Sequence, residues 1–174
     1  MQKILGLVGS IKASSMNLSM MHEIKDRLAD DFTLSIFNAL DQLPHFNPDL
    51  DKENPPPAIA DLRAKIESAD GILICTPEYV FSIPAALKNA IEWMVSTTLF
   101  SEKPVALITA SSAGEKGHES LQLVLRTLYC KLPEETSLLI RGAKANLKKP
   151  ATWDDIDRLL ENFYQLINES SASH

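Results

Sequence analysis

The chain has 174 residues, 45% hydrophobic and 23% charged, with 17 Lys and Arg against 23 Asp and Glu for a net charge of −6. That length suits one domain, residues 1–174, around one sizeable core. The acidic balance disfavours nucleic acid and anionic membranes as partners.

The N-terminal apolar run Ile4–Val8 is too short for a secretory h-region or a membrane span, so a soluble, unprocessed, cytoplasmic protein is expected. Within that run, Lys3–Val8 reads as a strand buried on both faces. A polar stretch, Ser14-Ser15-Met16-Asn17, opens a helix with Leu18, Met21 and Leu28 on one face. Thr33–Phe37 is a second strand, followed by a long loop from Asn38 that ends at Asn54-Pro55-Pro56-Pro57. Proline there starts the next helix, marked by Ile59, Leu62 and Ile66. Gly71–Cys75 is a third strand, and Leu87, Ala90, Ile91 and Met94 give its helix an i, i+3, i+4, i+7 stripe. Pro104–Thr109 is a fourth strand, with a helix through Leu121, Val124, Leu125 and Leu128. Ser137–Ile140 is a fifth. In the last helix Thr152 and Asp155 are placed for a capping box, ahead of Ile156, Leu159, Leu160, Phe163 and Ile167. Cys75 and Cys130 lack CxxC spacing, so buried free thiols are expected in place of a disulfide or zinc scaffold.

Five successive strand–helix units require right-handed crossovers and a parallel sheet covered on both faces. The expected fold is α/β, a flavodoxin-like three-layer sandwich with strand order 2-1-3-4-5. Ligands of such sheets bind beyond the carboxyl ends of the strands. Three loops meet there, Gly9–Asn17, Thr76–Ile83 and Ala110–His118, and each turns polar directly after an apolar strand.

The first loop gathers three Ser, one Lys and one Asn at a helix start, where free N–H groups and a partial positive charge favour an anion. A helix cap alone, from Ser15 or Asn17, would account for one of these residues. There is no GxxxxGK[ST] and no GxGxxG after the first strand, which removes the P-loop and Rossmann motifs. Gly9-Ser10 and Cys75-Thr76 stand where a phospho-receiver domain carries acids. The second loop is stiffened by Pro77 and Pro84 and carries Tyr79 and Phe81, which suits a flat heteroaromatic ring. Packing at a helix or subunit contact is the alternative for that aromatic pair. His118 in the third loop is read as solvent-exposed, with substrate contact as its alternative, and His22, His45 and His174 form no constellation.

Together the loops resemble the NADPH-dependent FMN reductase family, which includes chromate, quinone and azo reductases. Gly9, Ser10, Ser15 and Asn17 match its GS-x-R-x-x-S-x-N motif, with Lys12 in place of Arg. Pro77, Glu78, Tyr79, Ser82, Pro84, Leu87, Lys88, Asn89, Ala90, Ile91, Glu92 and Trp93 match its PEYN-x-S-x-PG-x-LKNA motif and the residues after it. Ser111-Ser112-Ala113-Gly114 through Gly117 is similar to its fourth-strand loop.

The resemblance implies an NAD(P)H-dependent reductase in which FMN takes a hydride at N5 and passes electrons to a quinone, flavin, azo or metal-oxyanion acceptor. It implies that Ser10, Lys12, Ser15, Met16 and Asn17 surround the FMN phosphate. Backbone groups of Glu78, Tyr79 and Val80 would bind the ring edge, Pro77 would line the ribityl side, and Ser111 and Gly114 would lie by the ribityl chain or pyrimidine. No side chain is assigned an acid–base role. A homodimer or homotetramer is implied, through the helix bearing Glu92 and Trp93. Lys116 and Arg126 are candidates for reading a 2′-phosphate.

Three residues depart from the pattern. Lys12 keeps the charge without the bidentate fork of Arg. Val80 stands for Asn, and Ala85 for a Gly whose backbone would be freer. The competing readings are a flavodoxin-like FMN-binding electron carrier and a flavin-free regulatory or binding protein of the same fold.

Overall fold

A computed structural model of the protein describes residues 1–28, 30 and 32–172; the His174 position read above lies outside them. Five parallel strands, β1 (Gln2–Val8), β2 (Phe32–Phe37), β3 (Gly71–Thr76), β4 (Val105–Ala110) and β5 (Ser137–Ile140), pair in the order β2-β1-β3-β4-β5. The expected order and strands hold, each boundary falling within a residue of its expected place. Every residue of β3 and β4 is buried, while the edge strand β2 alternates buried and exposed positions. Continuous and alternating apolar patterns thus sort the strands into centre and edge.

Among the described residues six helices accompany the sheet: α1 (Met16–Asp26), α2 (Pro57–Glu67), α3 (Ala85–Glu92), α4 (Glu115–Thr127), α5 (Ala143–Asn146) and α6 (Pro150–Ala172). Leu5, Leu7, Ile72, Ile74, Val105 and Leu107 face α2, α3 and α4. Ile4, Val8, Leu73, Cys75, Ala106 and Ile108 face α1 and α6 on the other side. Burial pushes both thiols up, that of Cys75 far above its ordinary range and that of Cys130 to about 11, and both are free.

Two helices differ from the sequence reading. Helix α1 ends at Asp26, before Leu28, and buries Asn17, Met20, Met21 and Ile24. Flexible methionines fill the space against β1 that the expected stripe gave to leucines. Helix α6 begins at Pro150, whose fixed φ suits a first helical position. Thr152 is therefore inside the first turn, its N–H bonded to Lys149 O at 3.2 Å, and the expected capping box does not form.

The long loop between β2 and α2 is tied down by α3 and the turn after it. Asn89 Nδ2 donates to Pro44 O at 3.0 Å, and Phe46 N donates to Asn89 Oδ1 at 2.7 Å. Trp93 Nε1 donates to Pro44 O at 2.9 Å, and its ring meets Phe46 edge-on at 5.2 Å. Further along, Arg63 pairs with Asp51 at 2.7 Å while also donating to Trp93 O and Ser96 Oγ. Burial raises the Asp51 pKa, but hydrogen bonds from Arg63 and Ser96 and the Arg63 charge outweigh it and hold the carboxyl below its usual range.

A carboxyl depressed on folding stabilises the protein above its unfolded pKa of about 4, and that contribution is lost as pH falls through the folded value. Asp51→Ala is therefore expected to cost about 1–2 kcal/mol at pH 7, because it removes the charge partner of a partly buried guanidinium that keeps Trp93 O and Ser96 Oγ. Urea midpoints at pH 7 and pH 3 check this: the gap between variant and parent narrows at the lower pH.

Candidate functional site

The parallel register, with Val8 beside Cys75 and Thr76 beside Thr109, brings the first three expected loops to one edge of the sheet. Gly9 N donates to Cys75 O at 2.9 Å, so the chain hugs β3 one residue past the strand. A Cβ on Gly9 would lie 2.2 Å from Thr76 Oγ1 and 2.7 Å from Thr76 Cβ. Only glycine fits that approach.

From this anchor the loop rises, exposing Ile11, Lys12, Ala13 and Ser14, and returns at buried Ser15. Ser15 occupies the N-cap position of α1 with extended backbone, yet its hydroxyl makes no cap bond. The simple capping reading therefore fails, and the hydroxyl is left for a ligand. The first turn of α1, starting at Met16, holds no acid. Its first N–H groups have no partner within the helix, and its positive end favours an anion. Lys12 is in no ion pair among the described residues. Ser10 is buried, with its hydroxyl 3.3 Å from that of Tyr79 and 3.4 Å from Lys12 N, so it links the two loops.

Asn17 is 2% exposed, and its Nδ2 donates to Ala110 O at 3.3 Å. A carbonyl cannot donate, so this contact fixes the amide orientation and leaves Oδ1 a buried acceptor without a donor. A phosphate dianion has no proton to offer it, whereas a hydroxyl does. The Nδ2 group also carries a second hydrogen, which a phosphate oxygen could accept.

In the second loop Pro77 is buried, and Tyr79 and Ser82 exchange both backbone hydrogen bonds, at 3.1 and 3.0 Å. This closes a two-residue hairpin with Val80 at φ 51° and Phe81 at φ 53°. Positive φ at both central residues is the type I′ signature and favours Asn and Gly. A β-branched residue there carries strain of about 1–2 kcal/mol. Tyr79 N–H is consumed by the hairpin, which leaves the N–H groups of Glu78 and Val80 uncommitted among the described residues. Ala85 opens α3 with Pro84 as its cap and is absent from the positive-φ residues, so replacing Gly there costs nothing.

Sequence reasoning overlooked the Glu78 side chain. Its two oxygens accept from Gly114 N at 3.1 Å and Gly117 N at 2.7 Å, at the start of α4. A carboxylate there satisfies orphan donors and opposes the helix dipole, clamping the second loop to the third. The clamp also spends the Gly114 N–H that the resemblance had placed beside the ligand, while the Ser111 side chain makes no bond among the described residues. Glu78→Gln is expected to lower stability by about 2 kcal/mol, read from the urea midpoint.

The expectation for His118 is corrected. It lies on α4, half-buried, with Nδ1 2.8 Å from Thr109 Oγ1 and Nε2 3.2 Å from Ser137 Oγ. Desolvation lowers its pKa against a smaller opposing pull from Glu119. The two candidate 2′-phosphate readers are both on α4. Lys116 pairs with Glu119 at 2.8 Å, and Arg126 is in the last turn of α4, at the far end from the site. Among the described residues no group of His, Cys, Asp and Glu could hold a metal. Concavities of about 400 Å³ near Lys103 and about 510 Å³ near Arg27 lie away from these loops.

A doubly wound parallel sheet with an acid-free, hydroxyl-lined helix start at its switch point belongs to the flavodoxin-like class of phosphate-ligand binders. The sequence profile of the NADPH-dependent FMN reductases matches residues 2–143. An NAD(P)H-dependent FMN reductase of Pseudomonas aeruginosa is 34% identical over 126 residues, 71% of this chain and 67% of that protein. A 2-hydroxy-1,4-benzoquinone reductase of a Burkholderia species is 35% identical over 127 residues, 71% of this chain and 68% of that protein. The solved flavoenzyme NAD(P)H:(acceptor) oxidoreductase of Paracoccus denitrificans shares the fold, with a TM-score of 0.73 at 21% identity over 99% of this chain and 98% of that one.

The chain belongs to the NADPH-dependent FMN reductase family. It is an oxidoreductase dependent on NAD(P)H and FMN. Among the described residues, no helix is long and apolar enough to cross a membrane.

Proposed function

We propose that residues 1–174 form one FMN-binding domain of a cytoplasmic reductase that acts on small quinone-type acceptors, with the flavin held between the Gly9–Asn17 and Thr76–Ile83 loops. One observation carries this reading: the acid-free start of α1, with Lys12 unpaired among the described residues and the Ser15 hydroxyl making no cap bond, faces a loop that Glu78 clamps. The residues fit FMN, since the buried Asn17 Oδ1 lacks a donor and the Ser15 hydroxyl at the start of α1 makes no cap bond.

Lys12, Ser15 and the first N–H groups of α1, beginning with Met16, neutralise the phosphate. Asn17 Oδ1 accepts from a ribityl hydroxyl, with Ser111 nearby and Pro77 lining the wall. The N–H groups of Glu78 and Val80 donate to the ring edge, where they favour the reduced, more negative form. When bound, FMN supplies the two-electron relay between NAD(P)H and the oxidant. Hydride from the nicotinamide and one proton from solvent together convert a quinone to its quinol.

The reading includes a homodimer or a dimer of dimers. Trp93, expected at a subunit contact, is fully buried in its own core. The surface on offer is instead the shallow apolar concavity of Phe46, Ile91, Val95, Val124 and Leu128. Light scattering at micromolar concentration tests this, and a monomer would refute it.

The activity test is direct. Purified protein is given FMN, its flavin absorbance is recorded, and NADH and NADPH oxidation is followed with a quinone. Flavin binding with turnover supports the proposal. Bound flavin without NAD(P)H oxidation favours an electron carrier, and absence of both favours a flavin-free protein.

A further inference from the structure

The tip of the second loop is costly in two ways that folding does not require. Val80 and Phe81 both hold positive φ, where Asn and Gly would be at ease, and they are 96% and 74% exposed. Non-glycine residues in sparsely populated backbone regions persist where the surrounding structure enforces them, and they cluster at ligand clamps. Glu102 and Tyr129 also hold positive φ, on two separate turns joined by the bond from Glu102 N to Tyr129 O at 2.9 Å, away from these loops. At the tip, the Tyr79–Ser82 bonds enforce the backbone while the Val80 and Phe81 side chains project outward, exposed.

Their position is fixed from both sides. Tyr79 reaches Ser10 of the phosphate loop through its hydroxyl. On the opposite flank a Cβ on Gly117 would come within 3.1 Å of Ser82 O, so the hairpin rests against α4. The tip therefore stands at the rim between the two loops assigned to FMN. From Tyr79 to Leu87 the chain carries no charge, although 23% of all residues are charged. The tip itself therefore offers an oxyanion no cation, whereas a flat uncharged ring would find an aliphatic and an aromatic side chain there.

We propose that the Val80–Phe81 tip determines acceptor specificity, with Phe81 as the principal contact, by covering the outer face of an uncharged quinone ring and so favouring it over small hydrophilic anions. The inference rests on the reductase reading above.

The test uses the full chain loaded with FMN and compares kcat/KM for an apolar naphthoquinone with that for ferricyanide. Phe81→Gly keeps the positive-φ turn and removes the ring; Phe81→Tyr restores an aromatic face. The expected result is a fall of about tenfold in the quinone-to-ferricyanide ratio for Phe81→Gly, recovered in Phe81→Tyr. An unchanged ratio in a wild-type background that reduces both acceptors overturns this inference and leaves the reductase intact. Wild-type protein that binds FMN but reduces neither acceptor overturns both. Light scattering on the Phe81→Gly protein adds a third reading. Dissociation into monomers would make the tip an interface between copies and overturn its assignment to the acceptor.

Discussion

Lys12→Glu is expected to weaken FMN binding by roughly a hundredfold and Lys12→Ala by about thirtyfold, whereas Lys12→Arg strengthens it severalfold. The chain carries a net charge of −6 and takes a doubly negative phosphate, so the charge must be neutralised locally. Around the first loop the available positive features are Lys12 and the N-terminus of α1, which contributes about half a unit charge. Lys12 is exposed and outside every ion pair among the described residues, so no competing carboxylate has to be displaced. Arginine adds a planar fork that can hold two phosphate oxygens at once. Titration of flavin fluorescence at low and high salt checks the series. The variants should converge as salt rises, because an exposed charge is screened. Their thermal midpoints should stay close together, since Lys12 supports nothing in the fold.

Gly9→Ala is expected to cost about 3 kcal/mol or more and to abolish FMN binding. The added methyl would sit 2.2 Å from Thr76 Oγ1 and 2.7 Å from its Cβ, and rotation about χ1 could move only the hydroxyl, since Cβ is fixed by the strand. Relief requires β1 and β3 to part at their carboxyl ends, and both candidate loops spring from that seam. Urea denaturation measures the loss. A second replacement, Thr76→Gly, should recover part of it, and the cycle of single and double variants isolates the clash as a coupling between the two positions. Equal effects of Gly9→Ala in both backgrounds would remove the clash as the cause.

The architecture was legible because its signals are local. Continuous apolar runs mark β3 and β4, an alternating run marks the edge strand, and Pro57 marks the start of α2. The anion site at α1 was legible for the same reason, since a strand, a glycine and a polar helix start are consecutive in sequence.

What stayed hidden joins residues far apart in the chain. Nothing near Glu78 announces that its carboxylate reaches Gly114 and Gly117. Nor does the sequence show that Tyr79 spends its N–H on Ser82. Asn89 and Trp93 match the second motif, and nothing beside them announces that they hold the loop at Pro44 and Phe46. Their partners lie more than forty residues upstream. His118 was misread because polarity in a loop suggests solvent, whereas its ring is tethered to Thr109 and Ser137 by the packing of α4 on the sheet.

Quinones are electrophiles that arylate thiolates, so any enzyme that reduces them is exposed to covalent attack by its substrates. Burial pushes the Cys130 thiol up to about 11 and the Cys75 thiol higher still, which favours the less nucleophilic protonated form of both. The packing that places these side chains in the protein therefore also lowers their reactivity toward the compounds it is proposed to reduce.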